Sequence, residues 1–102
     1  MRIDVTGKHV DLTPPMVAYA QTKCEKITKF FDGLQQIRCV LDKGSNHHAQ
    51  AEYTVEIIAD VVGHDDFIAN SRGHDIYACI DEASDKVGRS LREFKERLRE
   101  KR

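Results

Sequence analysis

Apolar and polar positions change period several times along this chain, and each change marks an element. Residues 2–6 alternate, with Ile3 and Val5 on one side, which predicts a strand. A loop through Gly7-Lys8 and Asp11-Leu12 follows. Thr13 then stands before Pro14-Pro15, where a hydroxyl can cap free N–H groups and proline loses nothing in the first turn. The spacing predicts a helix from about Pro14 to Phe31, with Met16, Ala20, Cys24 (or Lys23), Ile27 and Phe31 as its apolar stripe. Asp32-Gly33 ends it, with the glycine expected in a left-handed cap.

Alternation returns over residues 35–43, with Ile37, Cys39 and Leu41 on one face and Arg38 and Asp42 on the other. It returns again over 49–60, where Ala51, Tyr53, Val55, Ile57 and Ala59 share a face, and over 67–71, with Phe67, Ala69 and Ser71 inward. Gly44-Ser45-Asn46 and Gly63-His64-Asp65-Asp66 are the turns between them, and Gly73 is expected to break the last strand. Asp75 caps a second helix whose stripe is Ile76, Ile80, Ala83, Val87, Leu91, Phe94 and Leu98, with Gly88 expected on a flank. The order is β-α-β-β-β-α. One apolar face per strand and one stripe per helix predict an α+β fold, a four-stranded sheet with two helices packed on one face. The length of 102 residues suits a single domain, 1–102.

Composition narrows the chemistry. No apolar run approaches the roughly 20 residues of a membrane span, and the opening MRIDVTGKHV lacks a signal-peptide core. A cytoplasmic protein without a membrane partner is expected. Cys24, Cys39 and Cys79 are far apart and form no paired motif, so they are expected as small buried hydrophobes. Five histidines (His9, His47, His48, His64, His74) fall in loops or at element ends, without the convergent spacing of a metal site. No glycine-rich phosphate loop is present, and the cysteines are expected to be buried away from the histidines that could activate them. Neither an enzyme, a cofactor nor a small-molecule substrate is expected.

The net charge of −1 hides a strong asymmetry. Residues 86–102 hold eight bases against three acids, a net +5, and the preceding 85 residues hold eight against fourteen, a net −6. At 100° per residue, Lys23, Lys26 and Lys29 fall on one side of the first helix's stripe. On the second helix Arg92, Lys95 and Arg99 form one basic flank, and Lys86, Arg89 and Arg97 a looser one. Side by side, the helices would join the three lysines to one flank and form a basic groove suited to a phosphate backbone. The alternative is a solvated face laced with ion pairs four residues apart, such as Arg92 with Glu96. A different function, a protein-interaction module, would use the acidic sheet face of Asp42, Glu52, Glu56 and Asp60.

Particular stretches carry a resemblance. Ile3-Asp4-Val5-Thr6-Gly7-Lys8-His9-Val10 with Thr13, then Thr22-Lys23-Cys24-Glu25-Lys26-Ile27 and Phe31-Asp32, are followed by Ala69-Asn70-Ser71-Arg72-Gly73-His74-Asp75-Ile76-Tyr77-Ala78-Cys79-Ile80-Asp81. In order and spacing these resemble the hibernation-promoting factor / ribosome-associated inhibitor A family over essentially the whole chain. The resemblance implies a β-α-β-β-β-α fold similar in outline to double-stranded RNA-binding domains. It implies a ribosome hibernation factor that binds the small ribosomal subunit in the mRNA and A- and P-site tRNA channel, silencing and protecting idle ribosomes. It implies rRNA phosphate contacts at Lys23, Lys26, Lys86 and Arg89, to which the basic flanks add Lys29, Arg92 and Lys95. Ile76 stands where the family often has Met, and the charge is nearly neutral where many members are basic. The chain resembles the family's short forms, which lack the second domain that pairs ribosomes.

Overall fold

The computed structural model describes residues 1–29, 31–44 and 52–100. Its elements run β1 (Arg2–Lys8), α1 (Pro14–Ile27), β2 (Leu34–Lys43), β3 (Tyr53–Val61), β4 (Phe67–Gly73) and α2 (Ile76–Glu100). The order is the one the pattern predicts. Residues 49–51 of the expected third strand lie outside the described residues. The strands lie in the sheet as β1-β2-β3-β4. β1 and β2 are parallel, joined across α1, and the other neighbours are antiparallel.

Register brings the alternating sets together. Cys39 faces Ile57 and Leu41 faces Val55, and Ile57 in turn faces Ala69. These side chains are buried on one sheet face with Ala20, Cys24 and Ile27 of α1 and Ile80, Ala83, Val87 and Leu91 of α2. Each large aliphatic group buried there contributes about 1.5–3 kcal/mol. Ser71, on the same face, donates its hydroxyl to the Cys79 carbonyl (2.5 Å) and ties β4 to the first turns of α2. All three cysteines are free and buried, as expected. A thiol hydrogen bond to Cys24, together with burial, pushes the Cys39 thiol up, so it stays protonated.

Both helix starts follow their caps. The Thr13 hydroxyl accepts from the Met16 N–H (3.4 Å), ahead of prolines at the first helical positions. The Asp75 carboxylate accepts from Tyr77 N–H at 3.0 Å and Ala78 N–H at 3.5 Å.

Several expectations need correction. α1 ends at Ile27, not Phe31, because the Thr28 hydroxyl turns back to the Glu25 carbonyl (2.6 Å) and closes the last turn. Gly33 is not a left-handed cap; the left-handed residues among those described are His9 (φ 55) and Gly63 (φ 69). Gly33 is needed for room instead, since a Cβ there would collide with the Phe31 ring. Gly88 falls on a flank of the stripe as expected, in line with Asp81 two turns earlier, and is buried there. β4 also runs on to Gly73, which pairs with Tyr53 rather than breaking the strand.

α2 outruns the sheet. Phe31, His64 and Phe67 gather around Phe94, with ring centroids 5.4, 4.5 and 5.3 Å from it, and close the end of the core. Leu98, expected on the buried stripe, is 45% exposed, beyond the last residue of α2 that the described core covers, Leu91. The molecule measures 54 × 22 × 18 Å.

Candidate nucleic-acid interface

The seam between α1 and α2 has two chemically different halves. In the first, Asp81 is the hub. The Tyr19 hydroxyl donates to its Oδ1 at 2.6 Å, and the Lys23 ammonium lies 3.1 Å from the same oxygen. The ammonium also sits 5.6 Å over the Tyr19 ring, and Tyr77 meets that ring edge-on with centroids 5.2 Å apart. The Tyr19 hydrogen bond, then Lys23, holds the Asp81 carboxyl below the usual carboxylate range. Asp81 in turn raises the Lys23 ammonium and the Tyr19 phenol. Lys23 is thus already engaged and only 26% exposed.

The second half is the groove that the helix patterns predict, but shorter. Lys29 from the end of α1 meets Arg92, Lys95 and Arg99 of α2 around a cleft of about 230 Å³, with Glu96 on its wall. Four cations against one carboxylate leave it strongly positive. Arg97 and Arg99 also oppose the negative end of the α2 dipole. Lys26 is exposed on α1 between the two halves.

The remaining candidates lie elsewhere. Lys86 leans to the other flank of α2, donating to the Asn70 carbonyl of β4 (2.9 Å) and pairing with Glu82 (3.1 Å). Arg89 is exposed on the side of α2 away from the core. The seven sequence candidates therefore form no single groove: Lys29, Arg92 and Lys95 line the cleft, Lys26 and Arg89 are exposed on different faces, and Lys23 and Lys86 already hold partners. Sequence reasoning missed the hub role of Asp81. The available signal was an acid on the α1-facing side of α2, in line with Arg92 and Lys95.

The acidic sheet face is partly answered locally. Asp42 meets His9 Nδ1 at 3.1 Å, Glu52 meets Arg72 at 3.6 Å, and Asp4 accepts from Gln36 at 2.9 Å. Among the described residues no three His, Cys, Asp or Glu side chains are grouped to hold a metal ion. No helix among them is long and apolar enough to cross a membrane.

A β-α-β-β-β-α sheet with two helices on one face and a basic cleft at the end of their seam defines a class of α+β domains. Residues 3–99 match the family model described as sigma 54 modulation protein / S30EA ribosomal protein, and the chain belongs to that family. It is 29% identical over 97 residues to a ribosome hibernation promoting factor of Pseudomonas putida, covering 95% of this chain and 89% of that protein. A ribosome hibernation promoting factor of Klebsiella oxytoca is 32% identical over 103 residues, covering 98% and 99% of the two chains. In three dimensions the chain is similar to a ribosomal subunit interface protein from Coxiella burnetii (TM-score 0.80, 21% identity), over 94% of this chain and 99% of that one.

Proposed function

We propose that this chain is a ribosome hibernation factor that lies in the mRNA and tRNA channel of the small ribosomal subunit. It holds rRNA phosphates with Lys26, Lys29, Arg89, Arg92 and Lys95, and it inhibits translation by occupancy, without catalysis. The observation that carries this reading is the cleft of Lys29, Arg92, Lys95 and Arg99, placed where two helices present it outward from a rigid sheet. Family membership over residues 3–99 supplies the ribosome as the partner. Two sequence candidates for the same role are already engaged and are left out of it: Lys23 holds α1 against α2 through Asp81, and Lys86 is held by the Asn70 carbonyl and Glu82, bonds they would have to give up to reach a phosphate.

Arginine and lysine contacts to phosphate release condensed counterions, so binding weakens steeply with salt. Sedimentation of the protein with purified small subunits over a salt series tests the proposal. Co-sedimentation at low salt that is lost as salt rises is the expected result. Absence from the subunit pellet at low salt overturns it.

A further inference from the structure

β4 is the outermost strand of the sheet, paired with β3 on one side. An outer strand presents a row of backbone N–H and C=O groups on which another strand can form. Lys86 reaches around from α2 and donates to the Asn70 carbonyl at the middle of that row (2.9 Å). In an antiparallel strand the N–H and C=O of one residue point to the same side. The Asn70 N–H therefore also faces outward, and so do the backbone groups of Ile68 and Arg72, two positions away on either side. Thr54, Asn70, Ser71, Arg72, Glu82 and Lys86 line a cleft of about 540 Å³ beside this edge.

We propose that Lys86 guards the open edge of β4, and that without its ammonium β4 pairs antiparallel with β4 of a second copy of this chain. Pairing centred on Asn70 sets Ile68 of one copy beside Arg72 of the other. Ile68 is 58% exposed on the outer sheet face, and the aliphatic stem of an arginine is suited to cover it. Arg72 already has Glu52 of its own chain as a counter-charge (3.6 Å), so the pairing buries no uncompensated cation there. The two-fold arrangement is closed, so it stops at a dimer. With Lys86 in place an incoming strand must displace the ammonium from the Asn70 carbonyl and strip its water, and both oppose docking.

The test uses the protein alone and does not depend on the ribosome. Molecular mass is measured by sedimentation equilibrium over a wide concentration range. The expected results are a monomer for the parent chain, a concentration-dependent doubling of mass for Lys86→Met, and a monomer for Lys86→Arg, which keeps donors on the carbonyl. Adding Asn70→Pro to Lys86→Met removes the outward N–H without costing a bond to β3, and should restore the monomer. Ile68→Lys added to Lys86→Met should do the same by placing a cation opposite Arg72. A Lys86→Met variant that stays monomeric overturns the proposal. So does one whose doubled mass survives both blocking substitutions.

Discussion

Removing two cleft lysines together, Lys29→Met and Lys95→Met, separates phosphate binding from folding. Lys29 is exposed in the turn that follows α1, and Lys95 is half-buried and lines the same cleft. Methionine keeps most of each aliphatic stem, so the sheet and its core are undisturbed. With five cations on phosphates, the logarithm of the binding constant should fall with the logarithm of salt at a slope of about −3.5 to −4.5, taking roughly 0.7–0.9 per contact. The double variant should bring that slope to about −2 to −3, with the affinity gap widest at low salt. The assay is small-subunit binding by fluorescence anisotropy across a salt series, with thermal melting measured in parallel. An unchanged slope, or a slope that changes together with the melting temperature, refutes the assignment of these two lysines.

Two further expectations concern the scaffold. Leu91→Ala leaves a cavity under α2 where the side chain is fully buried. It should cost about 2–5 kcal/mol, read as about 4–8 °C of melting temperature per kcal/mol, with the salt slope of binding unchanged. Asp81 has its folded-state carboxyl held down, so its contribution to stability is fully present above its unfolded value of about 3.9 and is lost as pH falls through the lower folded value. Asp81→Asn should therefore lower the urea midpoint at neutral pH and flatten its fall on the acid side, and parallel acid limbs for the two proteins would refute the linkage.

Much of the fold was legible because period and burial coincide. The alternation of Ile37, Cys39 and Leu41 and the stripe from Ile76 to Leu91 each specify a face, and those faces have one consistent way of meeting. The misses came where a contact outside the local pattern decided the outcome. The Thr28 hydroxyl ended α1 before its stripe did. Leu98 follows the same period as Leu91 but lies past the end of the described core. The candidate site shows the same division. Helical angles grouped Arg92, Lys95 and Arg99 correctly, and the packing then chose Lys29 as their companion. Lys23 and Lys86 were diverted by partners 58 and 16 residues away in sequence, Asp81 and Asn70.

The overhang of α2 has a consequence before any contact is made. Residues 86–102 hold a net +5 against −6 in the rest of the chain, and the second half of α2, described as far as Glu100, leads away from the sheet in a molecule 54 Å long. The centres of positive and negative charge are therefore separated, although the total is close to zero. Such a molecule feels little net pull from a distant polyanion but a definite torque, which turns the end of α2 forward during approach. Screening confines this alignment to the last Debye length, about 8 Å in physiological salt. Orientation is thus set in the final stretch of the encounter, and a near-neutral protein can still arrive with its basic end leading.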